Sequence, residues 1–470
     1  MLEKKSFYIT TTLPYVNADP HIGFALEVIQ ADVLARYWRL QGREVFFNTG
    51  TDEHGQKIFD AAKKDGREIQ EYVDYYAGEF EKLGKALDLS YDAFVRTTDE
   101  GHIQAAQEMW KHCEKDIYKK EFEGLYCVGC ERYLVERDLV DGKCQVHETE
   151  PQILKEENWF FNFKKYEKQL LEYLENKDSI IPNWRREEAI NFVKEGLEDF
   201  SISREKSRLS WGVSVPSDDT QVMYVWFDAL TNYISTLGWP KEGGNFDKFW
   251  EEGHTVQMAG KDQVRFQSLM WQAMLMSANI KNTDQVFYHG FVISNGQKMS
   301  KSLGNVISPY ELVKKYGTDA TRYLLLRHVH STEDSDITWD KLDEWYNAHL
   351  ANGLGNLVGR IMKMASDNLD TPNNFDTHGY SFKGYITEVL SEFRFDSALE
   401  YVWAKVSELD KEIQEKKPWE SKNKELINNL VLKLYRIGKM IEPFMPETSQ
   451  QIVEATKNNK KPENLFPRLD

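Results

Sequence analysis

Two stretches of this chain, Pro20-His21-Ile22-Gly23 and Lys298-Met299-Ser300-Lys301-Ser302, carry side chains suited to phosphate chemistry. His21 follows turn residues Pro14, Asn17 and Pro20 and precedes Ile22, Leu26, Ile29, Val33, Tyr37 and Leu40, which fall at helical spacing before a stop at Gly42. A helix start offers unpaired N–H groups and a positive dipole end, so it suits a phosphate; a solvated capping histidine has the same pattern. The loop is neither the G-x-G-x-x-G nor the Walker type. Lys298 and Lys301, between Gly296 and Gly304, form a cationic loop, a pattern that an ordinary surface loop shares. A third cluster pairs Cys127-x2-Cys130 with Cys144-x2-His147. Four soft ligands at this spacing can close a tetrahedron about zinc and leave no open position, so such a metal is structural; chance clustering of thiols is the alternative. Asp52 follows a predicted strand, where parallel sheets collect ligands, and a helix cap is its other reading.

These residues need a scaffold, and the pattern predicts a doubly wound, Rossmann-like parallel sheet. Phe7–Thr10 reads as a strand, His21–Leu40 as a helix and Val45–Phe47 as the next strand, a β-α-β unit whose loop delivers His21. Helical stretches are expected over 56–86 and 99–113. The sequence divides into residues 1–113 as the first half of an α/β domain, 114–215 as an insertion holding the zinc knuckle, and 216–290 as the second half. The loop with Lys298 and Lys301 and short helices fill 291–345, and an α-helical bundle fills 346–470. Val222–Phe227 is expected as a strand leading into a helix over Asp228–Leu237.

A length of 470 residues provides for two to four domains with sizeable cores. The net charge of −17 argues against a nonspecific nucleic-acid binder but allows a local basic groove. No apolar run approaches the length of a membrane span. The start of the chain lacks a signal-peptide pattern. Four cysteines, three of them clustered, make a disulfide framework improbable, and Cys113 is expected as a buried thiol. The expected compartment is the cytoplasm.

The pairing of Pro-His-Ile-Gly with Lys-Met-Ser-Lys-Ser resembles the two signatures of class I aminoacyl-tRNA synthetases. Thr11–Asn17, Thr49–Gly55 and Tyr224–Leu230 are similar to motifs of the methionyl-tRNA synthetases in particular, and the likeness runs from about Phe7 to Pro446. It implies that Leu13, Tyr15, Trp226, Ala229, Tyr233 and Gln267 line a methionine pocket, with Asp52 on the α-ammonium. On composition alone Trp226 reads as core; the pocket role comes from the resemblance, and an aromatic slot suits a thioether. His21, Gly23, Gly260, Asp262, Val292 and Lys301 are implied for ATP, with Asp262 on the ribose. His21, Lys298 and Lys301 would stabilise charge on the phosphates, with Mg2+ on the polyphosphate. Cys127, Cys130, Cys144 and His147 would hold one Zn2+. Asn356 and Arg360, four apart on one helix face, and Trp419 would read the anticodon; the composition alone favours Trp419 in the bundle core.

Two positions depart from the family pattern. Phe24 stands where the first signature usually has a second histidine, and Gln267 where the pocket usually has one. Losing one transition-state donor costs roughly 2.7–4 kcal/mol by analogy with oxyanion holes, whereas Gln267 keeps a donor and an acceptor. The implied reaction activates methionine with ATP and then charges tRNA(Met), elongator and initiator, through its terminal ribose. The chain is expected to be a monomer, because the extra C-terminal module of many relatives is absent. The alternatives are another class I synthetase (leucine, valine or cysteine) and a non-enzymatic tRNA-binding relative.

Overall fold

The computed structural model describes residues 5–129, 132–134, 136–146, 148–241, 243–299, 305–369, 373 and 384–469. Cys130, His147 and Lys301 lie outside the described residues. The chain divides into two compact units. One comprises Met1–Pro20, Arg43–Lys82 and Tyr91–Tyr288; the other comprises His21–Gly42, Leu83–Ser90 and His289–Asp470.

The first unit is organised on a six-stranded sheet in the order Ala93–Arg96, Glu44–Thr51, Ser6–Thr10, His254–Gly260, Gln285–His289, Ile180–Ile181. The strand Ser6–Thr10 lies in the middle, parallel to both neighbours, with Ile9 opposite Phe47 and Val256. Phe7, Tyr8, Ile9 and Thr10 are all buried, which is why this strand reads as an unbroken apolar run and not as an alternating one. Chain order reverses between Ser6–Thr10 and His254–Gly260, and that reversal opens the crevice where α/β sheets take ligands. Gly50 is demanded by close packing, since a Cβ there would meet the Val95 carbonyl oxygen at 1.8 Å. Tyr8, Trp110, Phe227, Trp250, Trp271 and Tyr288 form the heart of a large aromatic core.

The insertion adds an antiparallel sheet in the order Phe200–Ser201, Gln152–Phe161, Ile117–Cys127, Arg132–Leu134. At its far end Cys127 and Cys144 are buried in a small cluster with Leu134, against which Leu125 and Leu139 pack. Cys113 is fully buried in the large core, and its thiol faces the Met274 carbonyl at 3.6 Å. Burial pushes that thiol up to about 12, so it is inert at neutral pH.

One expectation needs correcting. The strand ends at Met223, and Val225–Leu230 is already helix. Tyr224 takes an extended conformation at the helix start, and its carbonyl accepts from Phe227 N. A short apolar run has no periodicity to separate buried strand from buried helix, and here the burial of Val225, Phe227 and Leu230 settled the choice.

In the second unit, the helix Ile22–Leu40 ends at Gln41, with Gly42 at φ +79°. Asp32 on this helix meets Arg322 of the helix Thr318–His328 at 2.7 Å, both side chains wholly buried. Arg322 also donates to the carbonyls of Leu87, Pro443 and Phe444. Four helices, Asn356–Asn368, Phe395–Lys416, Lys424–Met440 and Pro446–Asn458, pack on one another through residues such as Leu357, Ile361, Val402, Leu434 and Ile452. Among the described residues no helix is long and apolar enough to cross a membrane.

Candidate active site

The loops after three sheet strands carry the residues expected on the amino-acid side of the site. The segment after Ser6–Thr10 brings Leu13 and Tyr15, both half-buried, alongside the end of Glu44–Thr51. Tyr15 and Asp52 form a parallel bridge: Asp52 N donates to Pro14 O at 2.9 Å, and Val16 N to Asp52 O at 3.3 Å. Backbone pairing therefore fixes a wall residue and a carboxylate side by side. The Tyr15 ring meets Trp226 edge-on at 6.1 Å, and Trp226 stacks on Phe266 at 4.0 Å. Trp226 and Ala229 share the short helix Val225–Leu230, three residues apart and so on one helix face. Tyr233 is buried; its carbonyl accepts from Tyr8 OH at 2.8 Å and its hydroxyl accepts from Gln267 Nε2. Gln267 is buried as well, and Gln267 Oε1 and Trp226 Nε1 have no partner among the described residues. Together these contacts make an aromatic cluster, with the buried carboxylate Asp52 joined to Tyr15 through the backbone.

The residues beside Asp52 are tied down in other directions. Glu53 receives Arg96 through two bonds of 2.6 and 2.9 Å, together with the hydroxyls of Thr51 and Thr98. His54 Nδ1 lies 2.6 Å from Asp228 Oδ2, and His102 Nε2 lies 2.8 Å from Asp228 Oδ1. Burial, the largest influence on Asp228, would raise its pKa, but His54 and His102 outweigh it and hold the carboxyl at about 2. Asp228 is thus ionised, and both imidazoles donate to it. His54 and Asp228 lie inside the family motifs but have no role assigned by them, and His102 lies outside those motifs. Nothing in linear spacing links residues 54, 102 and 228.

Gly260 ends the strand His254–Gly260 at the reversal of strand order, and Asp262 follows in an exposed helical turn. An exposed carboxylate at the mouth of this crevice has the chemistry to accept from ribose hydroxyls.

His21, in the second unit, is the N-cap of Ile22–Leu40, exposed and extended at φ −109°. Its Nδ1 accepts from Phe24 N at 3.2 Å. Gly23 makes this possible, because a Cβ there would stand 3.1 Å from the His21 ring. Phe24, the departure from the family pattern, is buried. Val292 is buried at the start of the strand Val292–Ser294, whose partner strand Gln297–Lys298 leads towards Lys301. Asn356 is exposed, and Arg360, one turn along the same helix, bonds Asp410 at 2.6 Å and lies 6.0 Å from the centre of the Trp419 ring. Trp419 is 43% exposed, so it is not bundle core. The structure brings Arg360 and Trp419 together from helices far apart in sequence.

A family model described as tRNA synthetases class I (M) matches residues 7–144 and 134–362. The chain belongs to this family. The methionine–tRNA ligase of Fusobacterium nucleatum is 40% identical over 98% of this chain and 76% of its own length. That of Caldanaerobacter subterraneus is 41% identical over 99% of this chain and 79% of its own length. A solved Mycobacterium tuberculosis methionyl-tRNA synthetase in complex with methionyl-adenylate superposes with a TM-score of 0.89 at 35% identity, covering 96% of this chain and 93% of that one. These likenesses select the methionyl branch over the leucine, valine and cysteine enzymes, and an enzyme over a non-catalytic relative. Cys127 and Cys144 are the members of the proposed zinc set within the described residues, and among those residues no group of three or more His, Cys, Asp or Glu side chains is gathered for a metal.

Proposed function

We propose that this enzyme catalyses methionine activation and tRNA charging with the labour divided as follows. The slot of Leu13, Tyr15, Trp226, Ala229, Tyr233 and Gln267 takes the methionine side chain, and Asp52 holds the α-ammonium through a charge-assisted bond. The carboxylate is thereby presented for in-line attack on the α-phosphate of ATP, giving methionyl-adenylate and pyrophosphate. No protein group has to exchange a proton in this step; it is accelerated by positioning and by charge placed on the phosphates. His21 and Gly23 at the helix start, with Lys298 and Lys301, supply that stabilisation. Mg2+ bound to the substrate polyphosphate neutralises part of its charge. Gly260, Asp262 and Val292 hold the nucleoside. The 2′-hydroxyl of the terminal ribose of tRNA(Met), elongator or initiator, then attacks the adenylate carbonyl, the acyl–phosphate bond breaks, and AMP leaves with the hydroxyl proton lost to its phosphate or to solvent; Asn356, Arg360 and Trp419 select the anticodon.

The insertion is proposed to hold one structural Zn2+ through Cys127, Cys130, Cys144 and His147. Cys127 and Cys144 meet in one small buried cluster, so two soft sulfur donors converge at one place, as a shared metal requires. When bound, the metal closes the knuckle and takes no part in the chemistry. The division into catalytic halves, insertion and anticodon-reading helices follows the boundaries given above, and the cytoplasm is the proposed compartment. The observation carrying the reading is the backbone bridge of Tyr15 and Asp52 facing Trp226 at the reversal of strand order. Amino-acid-dependent ATP–pyrophosphate exchange over a panel including methionine, leucine, valine and cysteine tests it, with exchange expected for methionine. Exchange driven by another member, or by none, overturns it.

A further inference from the structure

Asp228 is wholly buried, yet it belongs neither to the walls of the slot nor to the phosphate signatures. It sits in the helix Val225–Leu230 between Trp226 and Ala229, whose side chains are assigned to methionine. Its two carboxylate oxygens are taken by His54 at 2.6 Å and His102 at 2.8 Å, both histidines buried. His54 stands two residues after Asp52, and its backbone N–H approaches Asp52 Oδ1 at 3.4 Å. The far side of the His54 ring packs edge-on against Trp211 at 5.5 Å, and Trp211 Nε1 donates to Glu53 O at 2.6 Å. His102 Nδ1 faces Ser235 Oγ at 2.9 Å, on the helix that carries Tyr233.

From this we infer that Asp228 is the positioning residue of the amino-acid site, an inference that rests on the functional reading above. The ionised carboxylate ties His54, and with it the turn that orients Asp52, to the helix that presents Trp226 and Ala229. The ammonium-binding end of the slot and its apolar wall are thereby held at one spacing. A buried carboxylate is stable only while its partners are in place, so the two ends do not move independently. Among the described residues no sheet joins the two: Asp52 follows one strand of the parallel sheet, and Val225–Leu230 follows a strand of a separate three-stranded sheet.

The test uses the full chain in methionine-dependent pyrophosphate exchange, with thermal melting of each variant. Asp228→Asn and His54→Leu should raise the KM for methionine at least about ten-fold, the effect of losing one charge-assisted bond, with the KM for ATP changed by less than about two-fold. His54→Asn, whose amide nitrogen falls where Nδ1 was, should restore most of the affinity; His102→Gln, which replaces Nε2, should do so relative to His102→Leu. Should Asp228→Asn fail to fold, the two histidine series carry the test. Equal rises in both KM values, or amide variants no better than leucine, would overturn the role. Wild-type exchange driven by a different amino acid would sink the functional reading alone, and the same variants read with that amino acid would then decide the role of Asp228.

Discussion

Asp228 in the first unit and Asp32 in the second are both fully buried, and both are held below the usual carboxylate range, but by different partners. For Asp228, burial opposes ionisation, and two imidazoles prevail over it. For Asp32, burial is likewise the largest influence, and the guanidinium groups of Arg322 and Arg36, with Ser90, prevail. An imidazole donates one or two protons depending on its state; a guanidinium is always charged and offers five donors. Arg322 uses that surplus to bind three backbone carbonyls as well as Asp32. The helical unit is thus locked by one guanidinium that joins four chain segments, whereas the two imidazoles on Asp228 join only the segments proposed to form the amino-acid site. One arrangement serves integrity, the other local geometry.

The contrast can be broken at several points. Arg322→Met leaves Asp32 ionised and deprived of its main partner, a change that typically costs about 3–5 kcal/mol; denaturant unfolding should show a loss of that size, and a loss under about 1 kcal/mol would remove Arg322 as the lock. Lys301→Ala should slow exchange by roughly 100-fold or more, in line with about 2.7–4 kcal/mol for one transition-state donor, while methionine affinity stays nearly constant. An unchanged exchange rate would take the lysine loop out of the chemistry. Acid separates the two carboxylates from the rest of the surface. A carboxylate with a depressed folded pKa adds stability above its unfolded pKa, near 3.9, and that stability is lost as the pH falls through the folded value, about 2 for Asp228. About 2 kcal/mol should therefore disappear between roughly pH 4 and pH 2 in wild type. In Asp228→Asn this part of the slope should be missing, and identical pH profiles of urea unfolding would contradict the assignment. Trp419→Ala, the mildest, should weaken tRNA charging by about 1–3 kcal/mol, the worth of one stacked base, and spare exchange. Equal loss in both assays would end the division of labour between the activation chemistry and the reading of the anticodon.

Much of the fold was legible in the chain because local chemistry and tertiary environment agree. The helix Ile22–Leu40 follows its apolar spacing, starts at the capping His21 and stops before Gly42. The strands Ser6–Thr10 and Glu44–Thr51 are where β-prone runs lie. Val225–Phe227 departs from the expected strand because a run buried on all sides has no period to read, and the strand Ala93–Arg96 is too short to show one. The proposed pocket residues come from motif likeness and not from their own patterning. Composition alone places Trp226 and Trp419 in a core; the structure packs Trp226 with Phe266 against the edge of the large core but exposes Trp419 beside Arg360.

By itself the sequence determined which segments become helix or strand, which family the motifs resemble, and which residues could bear charge towards a phosphate. These are properties of neighbours within a turn or a strand, where propensity and periodicity act. Only the tertiary structure decided that Tyr15 bridges Asp52, that Asp228 gathers His54 and His102 from 174 and 126 residues away, and that Arg322 closes on Asp32. A buried charge must find its counterpart wherever the packed chain brings one, and that choice is made in three dimensions.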